Sequence, residues 1–137
     1  MKIWNGIQFV FTAIGGGIGW FVGGVDGVLI ALIAVVAIDY LTGVMCAIVG
    51  KKLSSEVGAK GIFKKVLIFA LVGVAHMIDS QVIGTGSTLR TAVIFFYLSN
   101  EGISVVENAA RLGVPVPDKL RDILAQLGKK GDKNDAE

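Results

Sequence analysis

Asp39, His76, Asp79 and Glu101 are the side chains best suited to proton chemistry, and each sits inside a long apolar stretch. A carboxylate or imidazole in such surroundings needs a partner, water or a neutralising proton. A charge at mid-bilayer costs about 2.5–3.5 kcal/mol on insertion scales. Asp39 lies twelve residues before Lys51, roughly 18 Å along a helix, and His76 lies eleven residues after Lys65, at nearly the same depth. On consecutive antiparallel helices the two would meet near the midplane. Such a pair is either a proton-sensitive element or an interhelical hydrogen bond that fixes register. Asp79 follows His76 by three residues, so it either pairs with it on one helix face or looks toward a wetter region. Asn100, Glu101, Ser104, Glu107, Asn108 and Arg111 surround a broad face that either lines a water-filled interior or lies at headgroup level. Within it, Glu107 and Arg111 have the spacing of a local ion pair.

Other chemistries lack their residues. His76 is the only histidine and the acids are scattered, so no metal site is expected. There is no phosphate loop and no nucleophile with a nearby base, so neither an enzyme nor a cofactor is expected. The single cysteine, Cys46, cannot form an intramolecular disulfide and reads as a packing residue. The basic residues come in short clusters rather than on one broad face, which argues against nucleic acid as a partner.

The elements that carry these residues are apolar helices. Hydrophobic residues make up 53% of the 137, charged residues only 18%, and the mean hydropathy is +0.71. A soluble chain this short has too little interior for so much apolar surface. An all-α integral membrane bundle is therefore expected. Its spans fall at about 3–25, 28–50, 66–83 and 89–110, each near the length that crosses a 30 Å core. The first span follows Lys2 without an Ala-x-Ala site, so it reads as a retained helix rather than a signal peptide.

Gly15, Gly19 and Gly23 repeat every four residues, the spacing that allows close helix approach within a chain or between subunits, and Gly43 stands in a similar role on the second span. Lys51, Lys52, Lys60, Lys64 and Lys65 lie in a basic loop at the membrane surface, with Ser54-Ser55-Glu56 as a helix start inside it. Residues 113–137 form a cytoplasmic unit. Pro115 and Pro117 stop the fourth span. Leu120, Ile123, Leu124 and Leu127 then mark a short amphipathic helix at the membrane surface or on the bundle, Gly128 caps it, and a disordered polar tail follows.

Orientation follows the Lys and Arg residues. With both ends in the cytoplasm, every one of them except Arg90 falls inside. A three-span alternative leaves the basic tail outside, so four spans are favoured.

Several segments resemble one family. They are Asp39-Tyr40-Leu41-Thr42-Gly43, the run from Lys51-Lys52-Leu53-Ser54-Ser55-Glu56-Val57-Gly58 to Lys65, and Asn100-Glu101-Gly102-Ile103-Ser104-Val105-Val106-Glu107-Asn108-Ala109. Gly113-Val114-Pro115-Val116-Pro117 adds to them. Over about residues 26 to 125 the chain is similar to the phage lysis and toxin-secretion holins. That resemblance implies a multi-pass protein of the bacterial host cytoplasmic membrane. Such a protein oligomerises with itself and opens lesions that release an endolysin, or a large toxin, as cargo. It also implies an antiholin as a regulatory partner, and no catalytic residues. Asp39, His76, Asp79, Asn100 and Glu101 are then candidates for gating. Two other functions fit the composition: a selective ion or proton channel or small transporter, and a membrane adaptor whose basic loop and tail dock a soluble partner. The absence of an inverted repeat or a broken helix pair weakens the transporter.

Overall fold

The computed structural model describes the backbone of residues 1–136 and the side chains of residues 1–130. Five helices follow in order: α1 (Lys2–Phe21), α2 (Gly27–Val49), α3 (Ser55–Met77), α4 (Thr88–Arg111) and α5 (Asp118–Ala136). A π-helical turn, Ile78–Ile83, extends α3. Among the described residues there is no strand, in line with the all-α expectation. Among the described residues, two helices are long and apolar enough to cross a membrane: α2, and the 29-residue run of α3 and its π turn.

The packing follows the helical period. Leu29, Leu32 and Val36 of α2, Ile68 and Val72 of α3, and Ile94 and Leu98 of α4 form one buried cluster with Val22. These are i, i+3, i+4 and i+7 positions, so each helix contributes one inward stripe. Each stripe is apolar in its middle and polar at one or both ends. Asp39 continues the α2 stripe, Lys65 and Asp79 bracket that of α3, and Arg90 and Glu101 bracket that of α4. The opposite faces remain apolar and exposed, as at Ile30, Ile33, Ile38 and Leu41 of α2 and Phe63, Leu67, Leu71 and Val74 of α3. An apolar outside around paired polar groups suits lipid rather than water.

α4 is the central helix, packed against α2, α3 and α5. α1 is held chiefly at its C-terminal end. None of its residues is buried, and Phe21, just at its end, sits against α3 where Gly73 has no side chain to obstruct it. A Cβ added to Gly15 or Gly19 would meet no atom within 4 Å, so the close approach their spacing suggests is not made within this chain. Gly23 lies past the end of α1 rather than on a helix face. Its φ of +91° suits glycine, and a Cβ there would come within 2.6 Å of Arg90 Nε and 2.8 Å of His76 Nδ1. Gly43 does face a neighbour, since a Cβ on it would stand 3.9 Å from Asn108 Nδ2.

Two expected boundaries move. The basic segment is mostly helix: the loop ends at Ser54, whose Oγ accepts from Val57 N at 3.1 Å and starts α3. Lys60, Lys64 and Lys65 are therefore helical. Lys51 and Lys52 remain in the tight reversal, where Lys51 takes a φ of 56°. At the other end, Gly128 does not cap α5, which runs on through Lys129 and Lys130, residues expected to open a disordered tail. Gly128 packs under α4 instead, where a Cβ would lie 2.8 Å from Ser99 Oγ. Pro115 and Pro117 fall between α4 and α5, as expected.

Candidate functional site: two polar clusters within the bundle

The first cluster joins three helices. Asp39 comes ten residues before the end of α2, and Lys65 ten residues after the start of α3. On antiparallel helices equal offsets mean equal depth. The Lys65 ammonium accordingly reaches the carboxylates of both Asp39 and Glu101. Asn108, two turns beyond Glu101 on α4, donates to Asp39 Oδ1 at 3.2 Å and to Thr42 Oγ1 at 2.9 Å. Thr42 in turn donates to the Ile38 carbonyl of its own helix at 2.8 Å. Cys46 closes the row with a 3.5 Å contact from Sγ to the Asn108 carbonyl. The cluster is enclosed but not sealed, with side-chain exposures of 20% for Lys65, 7% for Asp39 and 12% for Glu101. One cation between two carboxylates holds α2, α3 and α4 in a single register.

This arrangement corrects the expected pairing of Asp39 with His76. The early start of α3 puts Lys65, not His76, opposite Asp39, and carries His76 a further three turns away. The polar stripe of α4 also divides. Glu101 and Asn108 point inward, whereas Asn100 and Glu107 are exposed, because adjacent positions on a helix lie about 100° apart.

The second cluster lies at the opposite end of the bundle and centres on Arg90, which is 4% exposed. Its Nε donates to the Val22 carbonyl at 2.6 Å and its Nη2 to the Gly24 carbonyl at 3.0 Å. The same guanidinium meets Asp26 twice, at 2.8 Å and 3.2 Å. Thus the first turn of α4 satisfies the carbonyls left open where α1 ends. Asp26 also caps α2 by accepting from Leu29 N at 3.0 Å. The Arg90 guanidinium, with help from that amide, holds the Asp26 carboxyl below the usual aspartate range despite some desolvation. Its folded-state pKa is depressed, so its stabilisation is present above the usual value and is lost as pH falls through the depressed one. Acid titration of the purified protein in detergent should show this loss below about pH 4. Asp26→Asn should flatten that part of the profile. Asp26 is half exposed, so the change is expected to be small.

Asp79 belongs to this end and does not pair with His76. Its carboxylate accepts from Leu89 N at 3.1 Å and Arg90 N at 2.9 Å, and it is 1% exposed. Ser87 gives α4 no side-chain cap, so Asp79 performs that role from across the loop. His76 stands nearby, beside Gly23. Asp79→Ala is expected to cost about 1–2 kcal/mol. The loss should be read as a lower denaturation midpoint with faster hydrogen exchange at Leu89 and Arg90. Asp79→Asn should lose less, because its amide oxygen retains one of the two bonds.

Asp39, Asp79 and Glu101 stand out in the sequence, whereas Lys65, Asn108 and Arg90 read there in other roles, and Asp26 carries no signal of its part in the cluster. Lys65 was placed in a loop, and Arg90 served only as the basic residue outside.

A bundle with an apolar exterior and its ions paired inside defines this chain as a helical membrane protein. More particularly, it belongs to the bacteriophage holin family, whose profile matches residues 16–129. It is 41% identical over 129 residues to an uncharacterized 14.9 kDa protein from the nagH 3' region of Clostridium perfringens, covering 94% of this chain and 98% of that one. It is 39% identical over 133 residues to an uncharacterized protein of Listeria monocytogenes, covering 94% of each. A Bacillus subtilis protein, YtkC, is 32% identical over 112 residues, covering 82% of this chain and 83% of its own length. No solved structure matches the chain.

Proposed function

We propose that this chain is a lesion-forming holin. It crosses the bacterial cytoplasmic membrane four times with its N-terminus and the α4–α5 turn inside, assembles with copies of itself, and opens holes that release an endolysin or a large toxin. The observation that carries this reading is the matched family, joined to a bundle whose ionic groups are paired internally rather than offered to lipid. Four crossings rest on the alternation of α1 to α4, with Lys2, the lysines of the α2–α3 reversal and Arg111 marking the inner side. Two clusters that clip neighbouring helices together suit a protein with a closed state that must later rearrange. The unpartnered small face of α1, at Gly15 and Gly19, suits contact with a second copy. An antiholin would act on the same assembly step.

The test is induced expression beside a co-expressed endolysin. Abrupt lysis with release of a folded cytoplasmic reporter is the expected result. Ion leakage without release of the reporter would instead indicate a selective channel. Stable capture of a cytoplasmic partner without toxicity would indicate an adaptor.

A further inference from the structure

The hairpin of α4 and α5 carries charge to an unexpected depth. After the turn at Gly113, whose φ is +86°, α5 runs back along α4. Leu124 lies over Gly102, where a Cβ would touch it, and Gly128 lies under Ser99. Lys130 Nζ stands 5.4 Å from the centre of the Phe95 ring. The partners on α4 therefore fall in the order 102, 99, 95 as α5 advances, the signature of antiparallel packing. Leu127 packs against the central core cluster. The fit is built from both sides, with a glycine on each helix at the closest approach.

Ser99 is midway along the 24 residues of α4. If α4 crosses the membrane, Gly128 is at mid-depth and Lys129 and Lys130 are beyond it. Yet Arg121, Asp122, Gln126 and Lys129 are exposed along the outer side of α5. Lipid is a poor neighbour for such a face, whereas water suits it. We propose that α5 stays folded back at membrane depth and that its charged face, Arg121, Asp122, Gln126 and Lys129, is the water-contacting wall of the assembled lesion. This inference rests on the lesion reading and on the fourth crossing. It assigns the wall to the C-terminal helix rather than to the polar residues of α2 and α3, which are occupied with one another.

The experiment uses the full chain with Cys46→Ala, reconstituted in phosphatidylglycerol and phosphatidylethanolamine vesicles loaded with fluorescent dextran. A Cβ on Gly128 lies 3.1 Å from Ser99 Cβ, a few tenths short of the roughly 3.5–4.5 Å of a disulfide. Ser99→Cys with Gly128→Cys should therefore close an intramolecular disulfide on oxidation, and dextran release should persist in the locked chain. Separately, Lys129→Cys should react about ten-fold faster with a charged thiosulfonate than Ile38→Cys on the lipid-facing side of α2, because only a hydrated thiol ionises. Failure to form the disulfide, or loss of release when it forms with recovery on reduction, would overturn the proposal. So would a Lys129→Cys that reacts no faster than Ile38→Cys, a measurement that does not depend on Gly128 tolerating a side chain. Release by the Cys46→Ala parent tests the lesion reading by itself. The disulfide and the reactivity ratio decide the placement of α5 whichever way that result falls.

Discussion

Replacing Lys65 with alanine is expected to destabilise the bundle by about 3–5 kcal/mol, the usual consequence of removing one partner from a buried ionic group. Lys65 is the cation between Asp39 and Glu101, both nearly enclosed. Without it, two carboxylates from α2 and α4 face each other with no cation between them. The loss arises from those stranded charges more than from the missing attraction. Glu101→Gln in the Lys65→Ala background should therefore recover part of the stability, and Asp39→Asn should recover more when added. Denaturation midpoints in detergent for the single, double and triple variants check this. A Lys65→Ala chain as stable as the wild type would show that the cluster does not hold the helices in register. In cells, the same substitution should advance the onset of leakage if this cluster secures the closed state.

Arg90→Ala should have an effect of similar size, about 3–5 kcal/mol, for a different reason. The arginine joins the α1–α2 turn to the start of α4 through two carbonyls and a carboxylate. Its removal leaves the Val22 and Gly24 carbonyls without their donor and the Asp26 carboxylate with the Leu29 amide alone, and opens a cavity beside Gly23. Arg90→Lys should recover only a minor part, because an ammonium cannot span three acceptors in the fixed fork of a guanidinium. Increased protease sensitivity at the α1–α2 turn should accompany the fall in midpoint. Equal stability of the alanine and wild-type chains would sink this assignment.

Much of the architecture was legible because lipid and helix geometry leave few choices. The apolar stretches, the prolines after α4 and the amphipathic pattern of α5 all mark elements that the structure contains. The polar partners were harder to read, and the reason is register. Counting depth from the charged residues put His76 opposite Asp39. Counting from Ser54, which caps α3, puts Lys65 there. The capping serine was visible, but the lysines after it read as a surface loop because charge was equated with exposure. Arg90 was misread in a similar way. The basic residue that disobeyed the charge asymmetry is a buried one. Asp79 as a cap for α4 had no local signal, since the contact depends on a π-helical turn and on the return of the loop after it. Gly128 illustrates a further ambiguity. Glycine near a helix end suits both termination and close packing, and only the position of Ser99 distinguishes them.

The bond from Arg90 to the Val22 carbonyl also has a meaning in time. The two residues are 68 positions apart in the chain. At about 5–20 residues per second, synthesis of that interval takes on the order of 3–14 s. Throughout it, the turn that ends α1 has emerged without the guanidinium that completes it. The first two helices must therefore fold with an unfinished corner, and only the arrival of α4 finishes it. A chain arrested before Arg90 should hold its first hairpin loosely, and one released after it should hold the hairpin firmly.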